Sequence, residues 1–243
     1  MRKFGLIGQN ISYSFSRNYF SEKFLREGIS GSYENFDLEN ISEFPAVLKE
    51  NPELKGLNVT IPYKEEIIPF LDSLNPVASE IGAVNTIKLE TSGRLIGYNT
   101  DYFGFAEALK PYLKEHHKKA LILGTGGASK AIAYALKTLD IEYKFVSRKA
   151  SEEKLSYEEL NEQMLKEYTL LVNCSPLGTF PKIEEHPKIP FQHLTRNHLI
   201  FDLIYNPPQT RLMELAKVQG ATVVNGQKML ELQAEKAWDI WNK

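Results

Sequence analysis

A single cysteine, Cys174, stands among 243 residues, so no disulfide can close within the chain and a reducing, cytoplasmic setting is expected. No apolar run approaches the roughly 20 residues that a membrane span needs. A formal net charge of −2 gives no electrostatic reason to expect nucleic acid or an anionic membrane as partner. No histidine lies near Cys174 in sequence, which favours a packed small residue over a nucleophile. His116 and His117 are adjacent, and consecutive side chains point different ways, so they read as a solvated boundary and no metal site is expected. Internal repeats and low-complexity tracts are missing too. What is present is an ordinary globular composition, 42% hydrophobic and 25% charged, in a length suited to one large domain or two modest ones.

Short apolar runs alternate with helical patterns, the mark of α/β architecture. The opening Met1-Arg2-Lys3-Phe4-Gly5-Leu6-Ile7-Gly8 reads as a first strand, because glycine interrupts an apolar stretch too short for a secretory leader. Strands are expected over 4–7, 33–36, 57–60, 85–90 and 95–98, the last two forming a hairpin at one edge of a mainly parallel sheet. Helices are expected over 18–26, 41–49 and 64–71. Residues 102–115 form a helical connection, and a second series of strands follows over 120–123, 143–146, 170–173, 199–203 and 221–224. A helix over 128–139 sits between the first two of these. Four prolines, Pro176, Pro181, Pro187 and Pro190, keep 175–195 irregular. An amphipathic helix spans 228–241.

Two segments just past strand ends carry the chemistry. Asn58-Val59-Thr60-Ile61-Pro62-Tyr63-Lys64 and Asn99-Thr100-Asp101 offer one ammonium, one carboxylate and several neutral hydrogen-bonding groups. Such a set suits a small polyhydroxy substrate whose reaction moves a proton, with Lys64 and Asp101 as a catalytic pair. Bland readings compete: Asp101 as a helix N-cap and Lys64 as a first-turn surface lysine.

Gly124-Thr125-Gly126-Gly127-Ala128-Ser129 lies between a strand and a helix. Gly124 supplies the tight turn, Gly126 and Gly127 permit close backbone approach, and the helix N-terminus offers N–H groups to a pyrophosphate. Ser129 replaces the third glycine of the usual fingerprint. An NAD site places Asp or Glu about 20 residues further on, against the ribose hydroxyl. The chain has Ser147-Arg148-Lys149 there, which favours NADP because guanidinium and ammonium groups grip a 2′-phosphate.

Taken with Ser14-Phe15-Ser16, Gly82-Ala83-Val84-Asn85-Thr86, Asn173-Cys174-Ser175-Pro176-Leu177-Gly178, Asp202-Leu203-Ile204-Tyr205-Asn206-Pro207, and Gly226 with Met229-Leu230 and Gln233, these motifs make the chain resemble the shikimate dehydrogenase family over nearly its whole length. The resemblance implies NADPH-dependent, reversible reduction of 3-dehydroshikimate to shikimate in aromatic amino acid biosynthesis. It implies Lys64 and Asp101 as the catalytic pair. Ser14, Ser16 and Thr60 are implied to hold the substrate carboxylate with Tyr205 nearby, and Asn58, Asn85, Asp101 and Gln233 to hold ring hydroxyls. Gly124, Gly126, Gly127, Ala128, Ser147, Arg148, Lys149 and Gly226 are implied for the cofactor.

By the same resemblance, residues 1–101, completed by the C-terminal helix 227–243 packing back on them, form an α/β substrate-binding catalytic domain. Residues 102–226, with the connecting helix, form a Rossmann-like NADP-binding domain across a cleft. A monomer or homodimer is expected. Turn roles remain open for Ser14, Ser16 and Asn85, and a solvated helix face for Gln233. Three departures stand out: Tyr13-Ser14-Phe15-Ser16-Arg17 where the family often has His-Ser-x-Ser-Pro, Ser147 in place of asparagine, and Thr179 in place of methionine. The rival readings are a quinate/shikimate dehydrogenase using NAD or NADP, and a non-catalytic metabolite-binding protein on the same fold.

Overall fold

Alternating short apolar runs become two six-stranded sheets in the computed structural model, which describes residues 2–12 and 14–243. Met1, in the first-strand reading, and Tyr13, in the serine-loop comparison, lie outside the described residues. Contacts divide the chain into two compact units: residues up to Asp101 with Gln233–Lys243, and Tyr102–Leu232.

The first unit contains β1 Arg2–Gly8, α1 Phe15–Arg26, β2 Gly31–Asp37, α2 Phe44–Glu50, β3 Leu54–Val59, β4 Ser73–Leu74, α3 Pro76–Ile81, β5 Thr86–Leu89 and β6 Leu95–Tyr98. Its sheet order is β2-β1-β3-β5-β6-β4. Strands β1, β2 and β3 are mutually parallel, β5 runs antiparallel to β3 and β6, and β4 pairs parallel with β6. The sheet is therefore mixed. The β5–β6 hairpin is not at the edge as expected, because the two-residue β4, too short to register as a periodic pattern, covers it.

The expected helix over 64–71 is a series of turns ending in a 3-10 turn, Ile68–Phe70. Its apolar spacing imitates a helix, but Pro69 has no N–H to return to the fourth residue back. The Lys64 carbonyl instead accepts from the Val84 N–H at 2.7 Å. Likewise the segment expected over 41–49 begins as a 3-10 turn, Ile41–Glu43, before α2, with Pro45 in the first turn of α2.

Helix α4, Asp101–Leu109, stops short of the expected residue 115, passing into a 3-10 turn Lys110–Tyr112 at Pro111. The second unit then runs through β7 Lys119–Leu123, α5 Gly127–Thr138, β8 Glu142–Ser147, β9 Lys154–Ser156, α6 Glu162–Glu167, β10 Leu170–Asn173, β11 Leu199–Asp202, α7 Arg211–Val218 and β12 Thr222–Val224. All its strands are parallel, in the order β12-β11-β10-β7-β8-β9. Reversed, this is the doubly wound order of a Rossmann fold, with the strand order turning between β7 and β10. The central strands Leu121, Ile122, Leu171, Val172 and Ile200 are fully buried, as sheets covered on both faces require.

Helix α8, Gln227–Trp241, closes the chain. Ala234, Ala237 and Trp241 recur at helical spacing and pack on Phe4, Phe20, Phe24 and Tyr33 of the first unit. Trp241 stacks on Phe4 with centroids 4.9 Å apart and donates its indole N–H to the Ile87 carbonyl at 3.0 Å. Buried Lys23 of α1 pairs with Glu235 at 2.9 Å, which fixes the same helix from its polar side. Large apolar side chains buried in this way each contribute roughly 1.5–3 kcal/mol.

Candidate active site

Strand ends bring one buried polar cluster together in the first unit. Lys64, on the turn after β3, places Nζ 2.7 Å from Asp101 Oδ2, with side-chain exposures of 14% and 9%. Asp101 Oδ1 accepts from Asn85 Nδ2 at 2.9 Å. Both carboxylate oxygens are thus directed to side chains. A carboxylate so held can fix the ammonium and still accept a hydroxyl donor, since each oxygen carries two lone pairs.

Asn85 precedes β5 and is the hub of the cluster. Its Oδ1 accepts the Thr100 backbone N–H at 2.7 Å and the Thr86 hydroxyl at 3.1 Å. Its Nδ2 also reaches Thr100 Oγ1 at 3.0 Å and Gln233 Oε1 at 3.4 Å. Asn85 is therefore no simple turn former. Gln233 is buried, not on a solvated face, and also receives the Thr100 hydroxyl at 3.3 Å. Asn99 orients the segment by donating to the Ala83 carbonyl at 3.0 Å and accepting the Asp101 N–H at 3.0 Å.

Asn58, on β3, donates to the Asn85 carbonyl and to Thr86 Oγ1, both at 3.2 Å, and accepts from the Tyr33 hydroxyl at 2.8 Å. Burial pushes the Tyr33 phenol well above its ordinary range, opposed by a hydrogen bond with Ser16. Ser14 is the N-cap of α1 and accepts the Arg17 N–H at 3.2 Å, which leaves its hydroxyl proton to donate elsewhere. Ser16 and Thr60 are half-buried, and Arg17 is exposed. Tyr33 and Thr86 complete this network without having been singled out. Thr86 sits beside Asn85 in the same motif, whereas nothing local marks Tyr33.

The second unit carries the glycine-rich turn. Gly124 has φ +107°, and Gly126 has open space where a side chain would start. Gly126 is also the N-cap of α5 and provides no capping side chain, so the first helical N–H groups suit an anion. Ser129 turns its hydroxyl back to the Gly126 carbonyl at 2.6 Å, filling locally the place of the absent third glycine. Ala128 lies in the first turn of the same helix. Ser147 ends β8 and bonds the Lys149 carbonyl, while Arg148 and Lys149 are exposed. An open glycine turn, an uncapped helix start and two free-standing cations fit a phosphorylated dinucleotide.

Gly226 is explained by packing, because a Cβ there would meet the Leu203 carbonyl oxygen at 2.0 Å. Tyr205 follows β11, and burial raises its phenol pKa. At the strand ends of this unit, fully buried Asp202 accepts from Asn173 at 2.9 Å, Thr210 at 2.6 Å and the Ile204 N–H at 3.1 Å. Burial nevertheless raises its carboxyl pKa to about 6. Burial, with Asp202 adding its charge, also raises the Cys174 thiol far above its usual range, in keeping with a packed residue. His117 accepts the Lys114 N–H at 3.0 Å on Nδ1 and places Nε2 3.2 Å from the Asn197 carbonyl, so the backbone occupies both ring nitrogens.

Residues 6–87 match the family model described as the shikimate dehydrogenase substrate binding domain. The chain is 40% identical to a shikimate dehydrogenase (NADP(+)) of Clostridium botulinum, over 98% of this chain and 95% of that one. A solved shikimate 5-dehydrogenase of Thermus thermophilus, in complex with NADP(H) and shikimate, superposes with a TM-score of 0.87 at 32% identity, covering 99% and 93% of the two chains. A shikimate dehydrogenase solved with NADP+ reaches 0.89 at 30% identity, covering 99% and 90%. Full-length likeness at these identities makes this chain a member of the shikimate dehydrogenase family.

Proposed function

We propose that this protein is an NADP-dependent shikimate dehydrogenase that interconverts 3-dehydroshikimate and shikimate in aromatic amino acid biosynthesis. The observation that carries this reading is the 2.7 Å contact between Lys64 and Asp101, inside a network whose remaining members are neutral hydrogen-bonding groups. Reducing a ketone puts negative charge on its oxygen, and a fixed ammonium offsets that charge and can return a proton. Lys64 is the group that meets this oxygen. Asp101 orients Lys64 and accepts a ring hydroxyl. Asn85 holds Asp101, while Asn58 and Gln233 face further hydroxyls. Ser14 and Thr60, with Ser16 beside them, direct hydroxyls to the substrate carboxylate.

NADPH, when bound, supplies the hydride. Gly124, Gly126, Gly127 and Ala128 shape the turn and the helix start for its pyrophosphate. Arg148, with Ser147 and Lys149, binds the 2′-phosphate, a choice favoured by the lack of any carboxylate at that strand end. A binding protein without turnover needs affinity but no proton donor, and retention of the Lys64–Asp101 pair speaks against it.

Purified protein is to be assayed with shikimate or quinate, each with NADP or NAD, by nicotinamide absorbance. Shikimate with NADP should give the highest kcat/KM. Quinate with NAD outperforming it would establish the quinate reading, and no turnover in any of the four would refute the enzymatic one.

A further inference from the structure

We infer that Tyr33 is a positioning residue for this activity: its hydroxyl, together with the Asn85 carbonyl, holds the Asn58 amide in the rotation that offers an acceptor to a substrate hydroxyl. The inference rests on the function proposed above. A backbone carbonyl only accepts, so the Asn58 nitrogen must be the atom facing the Asn85 carbonyl at 3.2 Å. The second N–H of the same amide goes to Thr86 Oγ1 at 3.2 Å. Both donors are therefore spent within the protein. Only the remaining lone pair of Oδ1 is left for a ligand, so Asn58 selects a partner that donates.

The Tyr33 contact to Oδ1, at 2.8 Å, is the shortest of the three that hold this amide. The same donor-to-acceptor order continues inward. Thr86, receiving from Asn58, donates to Asn85 Oδ1 at 3.1 Å, and Asn85 donates to Asp101 at 2.9 Å. A phenol 5% exposed, on β2 and separated from β3 by β1, is thus tied through Asn58, Thr86 and Asn85 to the catalytic carboxylate.

Tyr33→Phe isolates the hydroxyl, because the ring keeps its stack on Phe20 at 4.7 Å. The variant should raise KM for shikimate roughly tenfold, the loss of about one hydrogen bond. Its kcat should fall less than about threefold, and KM for NADP should stay unchanged. In an Asn58→Ala background, or Asn58→Ser if the alanine variant does not fold, Tyr33→Phe should add nothing further. An unchanged KM for shikimate in Tyr33→Phe, or a full additional loss in the double variant, overturns the role assigned to Tyr33 while wild-type turnover stands. Wild-type protein that oxidises no shikimate overturns the proposed function and this inference together.

Discussion

Gly56 and Trp241 are packed so closely that a Cβ on the glycine would stand 2.2 Å from the indole Nε1. The indole cannot retreat without giving up its 3.0 Å bond to the Ile87 carbonyl. Gly56→Ala should therefore destabilise by about 1–3 kcal/mol, as overpacking does. Urea unfolding should show a lower midpoint at unchanged slope. Trp241→Phe in the same background should recover part of the loss, since the smaller ring yields space. Purely additive losses would show that the contact is not the cause.

Ser14 serves α1 as N-cap and is also proposed to meet the substrate carboxylate. Ser14→Asp separates the two roles, because aspartate caps as well as serine does. The thermal midpoint should stay near wild type while KM for shikimate rises more than about tenfold from like-charge repulsion. An unchanged KM would remove Ser14 from the substrate site.

Asp202 makes stability depend on pH. Its carboxyl pKa is raised by burial to about 6, above its ordinary 3.8, with hydrogen bonds from Thr210, Ile204 and Asn173 opposing the shift. The folded state thus binds the proton more tightly than the unfolded chain, and its contribution is present below pH 4 and lost as pH rises towards 6. Urea midpoints should show wild type losing on the order of 3 kcal/mol relative to Asp202→Asn over that window. Parallel profiles for the two proteins would contradict this.

Arg148 is exposed at the end of β8 and is proposed to hold a 2′-phosphate. Arg148→Ala should raise KM for NADP by roughly 10- to 100-fold and leave KM for NAD nearly unchanged, with little effect on melting. An unchanged NADP-to-NAD preference would refute that contact.

Much of this was legible because it is local. Gly124, at φ +107°, needs a residue without a side chain, so strand, turn and helix could be read in order. The buried runs 120–123 of β7 and 170–172 of β10 stand out as short apolar stretches between turns. Lys64 and Asp101 could be read as a pair because each follows a strand, where α/β proteins gather ligand groups. The 64–71 segment misled because Ile67, Ile68 and Leu71 keep helical spacing across a proline. Strand β4 has two residues and no period to detect. The inner network was illegible for another reason: Tyr33 meets Asn58 across 25 residues, and Asn85 meets Gln233 across 148. Such contacts follow from sheet register and from the return of α8, which no local pattern encodes.

Lys64 is the residue on which turnover is proposed to depend most. Steady-state oxidation of shikimate by NADP should be measured for wild type and Lys64→Ala, with rates expressed per folded molecule from parallel melting curves. That correction matters because removing one partner of a buried ion pair costs roughly 3–5 kcal/mol. The prediction is a kcat lower by roughly 100- to 10,000-fold, the range for loss of a positioned proton donor, with KM changed less than about tenfold. A kcat near wild type with a strongly raised KM would contradict it, making Lys64 a binding group and leaving the chemistry to another residue.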